Sequence, residues 1–158
     1  METITIDTDD LSPQREKTVS EEKETDLIVN VDGSCSPNPG GDMWGGVYIS
    51  YCGRKLWSIA KAFLGHVGTN NMAEILIAIY GLKVLKRIQE KYPQYDVPST
   101  IISDSMLTVQ AIERGSAKSP ALDDRVDEFL KIRDTMRNKP KVIWRKREVN
   151  SRADARSR

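Results

Sequence analysis

The chain has 158 residues, 39 % of them hydrophobic and 30 % charged, with a formal net charge of +1, a length that suits one ordinary domain. No run reaches the roughly 18 to 20 consecutive apolar residues of a membrane span, and residues 1–10 lack the basic start and apolar core of a signal peptide, so a soluble, cytoplasmic protein is expected. Two cysteines, Cys35 and Cys52, and one histidine, His66, cannot build a four-ligand Cys/His zinc site or a disulfide scaffold; any metal would be held by oxygen.

Residues 1–26 carry nine acids against three bases, no aromatic residue and little apolar periodicity, which predicts an acidic, disordered N-terminal extension. The net charge of −6 over that segment leaves +7 on residues 27–158, so the near-neutral sum conceals a basic domain. The bases are densest at the end, from Lys139 to Arg158.

Within residues 27–158, LIVNVD at 27–32 reads as a strand running into the turn-forming GSCSPNPGG. GGVYISY at 45–51 and KLWSIAKAF at 55–63 read as two strands of a hairpin around Cys52, Gly53 and Arg54. Thr69, Asn70 and Asn71 can cap a helix of about six turns over 72–92, with Met72, Ile75, Ile79, Leu82 and Leu85 on one stripe. Its first half is apolar nearly all round, which predicts a central, buried helix. Beyond the break at 93–98, STIIS at 99–103 reads as a short buried strand ending at Asp104. A helix closed by Gly115 follows, then one opened by Pro120 with Leu122, Val126, Phe129 and Leu130 on its apolar face. KVIW at 141–144 is a last strand and SRADARSR a terminal helical turn or two. The order βββαβααβα implies an α/β fold with a mixed sheet, an antiparallel meander of three strands joined to two parallel ones by helical crossovers. Trp44, Trp57 and Trp144 all fall in strands and are expected to pack in the core or on a sheet face; His66 is expected on a surface loop.

Four acids stand where solvated acids normally do not. Asp32 and Asp104 end apolar strands, Glu74 lies in the first turn of an apolar helix, and Asp154 follows Ala153 near the end of the sequence. Taken singly, an acid after a strand or near a helix N-terminus is ordinary. If the first and fourth strands are parallel neighbours, however, Asp32 and Asp104 emerge side by side, and the central helix can deliver Glu74 beside them. Such a cluster repels itself unless cations neutralise it, which points to oxygen-bound divalent metal, Mg²⁺ fitting best.

Four motifs carry a family resemblance: D-G-S-C-S-P-N-P-G-G at 32–41, T-N-N-M-A-E at 69–74, S-D-S at 103–105 and N-S-R-A-D at 150–154. In this order and spacing they resemble type 1 ribonuclease H. The resemblance implies a ribonuclease H-like fold with a five-stranded mixed sheet over residues 27–158. The implied activity is endonucleolytic cleavage of the RNA strand of an RNA/DNA hybrid, leaving 5′-phosphate and 3′-hydroxyl ends. It implies Asp32, Glu74, Asp104 and Asp154 as the catalytic, metal-binding carboxylates, with two Mg²⁺ ions per site and Mn²⁺ able to substitute. Asp32 would bridge both ions, Glu74 and Asp104 lying to one side and Asp154 to the other. Gly33, Ser34, Cys35, Asn38, Thr69, Asn70 and Asn71 match substrate-contacting positions, the asparagines on the minor groove and Thr69 near a phosphate. An amide can both donate to and accept from the 2′-hydroxyl that marks RNA.

Two departures sharpen the resemblance. WRKREVN at 144–150 is too short for the histidine-bearing loop of many members, and Arg147 or Glu148 lies nearest the missing histidine. The stretch between Gly115 and Pro120 is too short for the family's basic protrusion. The chain thus resembles the branch that lacks both, some members of which also cut duplex RNA. A monomer is expected. Alternatives are a nuclease of the same fold acting on duplex RNA or DNA junctions, or a non-catalytic hybrid-binding module.

Overall fold

The apolar run that begins at Leu27 forms the middle of a five-stranded sheet. In the computed structural model, which describes residues 23–63 and 68–146, the strands are β1 (Leu27–Ser36), β2 (Asp42–Tyr51), β3 (Arg54–Phe63), β4 (Ser99–Ser103) and β5 (Lys141–Trp144), in the order β3-β2-β1-β4-β5. The first three form the antiparallel meander, while β4 and β5 run parallel to β1. The helices are α1 (Asn70–Lys91), α2 (Met106–Arg114) and α3 (Pro120–Asp134), with a single 3₁₀ turn at Pro93–Tyr95. The terminal helical turns expected at 151–158 lie outside the described residues.

β1 is four residues longer than its apolar run. Gly33 to Ser36, expected in the turn, continue the ladder from Gly33↔Gly45 to Ser36↔Asp42, because β2 starts at Asp42 and supplies partners for their backbone groups. The turn shrinks to 37–41 and is closed by the Gly41 N–H donating to the Pro37 carbonyl at 2.7 Å. Between β2 and β3, Cys52 and Gly53 have φ of 51° and 81°. Two consecutive positive φ values make the twist-matched two-residue hairpin turn, with glycine at its second position.

α1 packs across β1 and β2 and against α3. Thr69 caps it, its hydroxyl accepting from the Met72 N–H at 3.0 Å. Every residue from Ala73 to Ile79 is buried, as expected for a helix wedged between a sheet and another helix. The core joins Leu27, Val29, Val31, Val47 and Ile49 of the sheet to Ile75, Leu82 and Leu85 of α1 and to Val126 and Phe129 of α3. Ser105 caps α2, and Gly115, in the left-handed conformation, ends it. No helix among the described residues is long and apolar enough to cross a membrane.

Ordered contacts begin before the expected domain start at Leu27. The Thr25 N–H donates to Thr100 Oγ1 at 3.0 Å, and Glu24 pairs with Arg145 at 3.2 Å. These polar residues have partners on β4 and just beyond β5, which composition does not reveal.

Candidate active site

The register of two parallel strands builds the site. Val31 of β1 is paired with Ser103 of β4, so Asp32, which continues β1 opposite Gly46 of β2, and Asp104, which follows the last residue of β4, stand at the same level. Side chains alternate along a strand; Val29, Val31 and Gly33 therefore face α1, and Asp32 and Ser34 the opposite side. Glu74 arrives from the first turns of α1. Its carboxylate accepts the Gly33 N–H, which bends it toward the sheet. One oxygen from each of Asp32, Glu74 and Asp104 lies within 4.8 Å of the others.

Asp32 and Glu74 are buried and Asp104 is half-buried. Burial, followed by the negative charges of Asp104 and Asp32 and a hydrogen bond with Asp104, pushes the Glu74 pKa up to about 10, against the pull of the Gly33 N–H. Three carboxyl groups this close cannot all ionise without a counter-charge. A proton can supply it, and so can a divalent cation. The donors are hard oxygens only, which suits Mg²⁺ and Mn²⁺. Asp154, the fourth acid of the sequence pattern, lies outside the described residues, as do His66, Arg147 and Glu148.

The first and second motifs interlock beside this cluster. The Cys35 N–H donates to Asn70 Oδ1 at 2.8 Å, and the Asn70 N–H donates to Asn38 Oδ1 at 3.0 Å. The Gly40 N–H donates to the Gly68 carbonyl at 2.7 Å. Asn38 and Asn70 thus spend their carbonyl oxygens holding the loop to the start of α1. Each amide nitrogen, a donor, has no bond among the described residues. Asn71 is exposed, and Ser34 and Thr69 are half-buried. Cys35 is buried and both cysteines are free thiols; its N–H, a candidate substrate contact, is committed to Asn70.

Trp44 departs from the expected packing. It pairs with Ser34 and Ala62 on the sheet face that bears Asp32 and is 45 % exposed, because its small cross-strand neighbours give the ring nothing to bury against. Trp57 is buried as expected. Trp144 is half-buried, its Nε1 donating to the Asp104 carbonyl at 3.0 Å. The period-2 pattern could have placed Trp44 outward, since Met43 and Val47 face inward; nothing local signals the partner of Trp144. A cleft of about 610 Å³ at the far end of α1, lined by Lys86, Glu90, Asp96 and Arg137 among others, contains none of the three carboxylates.

A three-stranded meander extended by two parallel strands, with three helices and acids brought to the same level by two neighbouring parallel strands, is a ribonuclease H fold. The same conclusion comes from known proteins. No protein-family model matches the chain. A Ribonuclease H from Trichodesmium erythraeum (strain IMS101) is 30 % identical over 99 residues, covering 61 % of this chain and 54 % of that one; the match thus spans about half the length of that relative. Among solved structures, LC11-RNase H1 in complex with RNA/DNA hybrid aligns with a TM-score of 0.72 and 26 % identity over 82 % of this chain and 91 % of that one. RNase H1 from the halophilic archaeon Halobacterium salinarum NRC-1 shares the fold, with a TM-score of 0.69 and 21 % identity over 82 % and 92 % of the two chains.

Proposed function

We propose that the protein is a ribonuclease H that hydrolyses the RNA strand of RNA/DNA hybrids, leaving 5′-phosphate and 3′-hydroxyl ends. The observation that carries this reading is the Asp32, Glu74 and Asp104 cluster, whose oxygens lie within 4.8 Å of one another on a ribonuclease H fold. Asp154 would join these three in holding two Mg²⁺ or Mn²⁺ ions. When bound, such ions supply nucleophile activation and stabilisation of the leaving 3′ oxygen in an in-line displacement at phosphorus.

The chain's own residues prepare that chemistry. The Gly33 N–H orients Glu74, which would hold a cation in its ionised form. Asn38 and Asn70, with their oxygens engaged in the protein, present amide donors suited to a 2′-hydroxyl in the wide minor groove of a hybrid. Asn71 and Thr69 flank them, and Gly33, Ser34 and Cys35 line the strand end. The bases from Lys139 onward, apart from the buried Arg145, would neutralise phosphates, a contribution that falls with salt. The α2–α3 connection at 115–119 is five residues long, which supports placement in the branch without a basic protrusion. We assign the catalytic domain to residues 27–158, with an acidic extension before it, acting as a monomer in the cytoplasm.

The test is cleavage of a labelled hybrid with Mg²⁺ or Mn²⁺, beside RNA/RNA and DNA/DNA duplexes and a DNA junction. Cation-dependent cutting of the RNA strand is expected. Binding of the hybrid without any cut would favour the non-catalytic reading, and a preference for duplex RNA or for junctions would reassign the substrate.

A further inference from the structure

Arg145, 0 % exposed, is among the largest fully buried side chains, an unusual place for a guanidinium, which normally keeps its head in water. Its Nε donates to Glu24 Oε2 at 3.2 Å and its Nη1 to the Trp144 carbonyl at 3.0 Å. Its main-chain N–H donates to the Ser103 carbonyl at 3.1 Å, which extends the β4–β5 pairing one step past Ser103↔Trp144. The preceding residue completes the arrangement, with Trp144 Nε1 on the Asp104 carbonyl at 3.0 Å. Trp144 and Arg145 therefore hold the peptide oxygens on both sides of the Asp104 α-carbon.

With both of those peptide units held, the direction of the Asp104 Cα–Cβ bond, from which the carboxylate reaches out, is set. The ion pair that holds the anchor is completed from the other end of the sequence: Glu24 lies 121 residues from Arg145, and Thr25 is bonded to Thr100 at the start of β4. We propose that Glu24, Arg145 and Trp144 are positioning residues that set the Asp104 carboxylate for cation binding, and that the segment just before β1 is part of the catalytic machinery. The proposal rests on the reading of Asp32, Glu74 and Asp104 as cation ligands. Removing the Glu24 charge takes a counter-charge from a buried guanidinium and weakens its hold there. Moving it displaces Trp144 and frees the Asp104 carbonyl. A carboxylate then meets a cation poorly, because ligand distances tolerate only a few tenths of an ångström.

The experiment is calorimetric titration of the full chain with Mn²⁺ for the wild type, Glu24→Gln, Trp144→Phe and Asp104→Asn, with melting temperatures in chelator. Trp144→Phe keeps an aromatic ring while deleting the Nε1 donor, so it carries the test if Glu24→Gln does not fold. The wild type should bind Mn²⁺, and Asp104→Asn should lose most of that binding. Glu24→Gln and Trp144→Phe should each raise the Kd about tenfold, the low end of the range seen when groups supporting metal ligands are removed. Variants that melt lower yet bind Mn²⁺ like the wild type would overturn the proposal, showing a purely structural role. A wild type that binds no Mn²⁺ would overturn it together with the cation-site reading. Mn²⁺ binding without hybrid cleavage would sink only the nuclease reading.

Discussion

The main-chain N–H of Gly33 donates to the Glu74 carboxylate, 41 residues further along the sequence. That bond ties β1 to α1 at the site, and the approach behind it requires glycine. A Cβ on Gly33 would lie 2.5 Å from the carbonyl carbon and oxygen of Ala73 and 2.7 Å from the Glu74 nitrogen. These are backbone atoms of a helix already packed against two strands and α3, so they cannot yield cheaply. Gly33→Ala should lower stability by about 2 kcal/mol, as overpacking in a filled core does, and should weaken Mn²⁺ binding. Thermal melts and cation titration read the two effects; an unchanged melt would show that α1 can shift.

Asp104→Asn should reduce cleavage by about three orders of magnitude, the scale of losing several kcal/mol of cation-assisted stabilisation. Hybrid binding should be little changed, since the substitution removes a cation ligand and not a phosphate contact. Single-turnover rates beside a filter-binding isotherm separate the two effects. Wild-type turnover would show the carboxylate to be misassigned.

Glu74 links the site to pH. In the folded, cation-free protein its pKa is pushed up from 4.5 to about 10, so between those values the folded state holds a proton that the unfolded chain has lost. Its contribution to stability is therefore full below about pH 4.5 and is lost progressively as pH rises toward 10. Divalent cations bind the ionised form and should reverse this trend, raising the melting temperature more at alkaline than at acidic pH. Melts in chelator and in Mg²⁺ across this range check the sign. Glu74→Gln should flatten the slope in chelator, and a wild-type slope in that variant would assign it to another group.

Trp44 offers an exposed ring on the face that bears Asp32. Contact with a substrate base or sugar through such a ring is worth about 1–3 kcal/mol. Trp44→Ala should therefore raise the KM for a hybrid about tenfold with kcat nearly unchanged, the signature of lost uniform binding. The melting temperature should stay close to wild type because the ring is half in solvent. A fall in stability with KM unchanged would return Trp44 to a packing role.

Deleting residues 1–20 should leave the fold and cleavage intact, since Glu24 and Thr25 and their bonds to Arg145 and Thr100 are retained. The deletion removes five acids and two bases, so binding of a polyanion at low salt should tighten. Circular dichroism and hybrid binding over a salt series test both points, and an unfolded product would make the extension structural.

Much of this was legible from local pattern. The Thr69 cap, Gly115 at the end of α2, Pro120 at the start of α3, the hairpin around Cys52 and Gly53 and the buried first half of α1 follow from residue types acting on their own few neighbours. The three carboxylates were also legible, because an acid closing an apolar run, or set near the start of an apolar helix, contradicts its surroundings. The length of β1 was not, since Gly33 to Ser36 are extended only where β2 supplies a partner strand.

By itself the sequence determined the order of elements, the parallel arrangement that the helical crossovers demand, and a set of acids that needs a counter-charge. Only the tertiary structure decided that Val31 stands opposite Ser103, so that Asp32 and Asp104 meet. It likewise decided that Glu74 is held by Gly33, that Trp44 faces outward, and that Arg145 is buried against Glu24. The physical reason is range. Backbone conformation answers to residues a few positions away, whereas burial, charge state and hydrogen-bond partners are set by groups that the chain brings together across 41 and 121 residues.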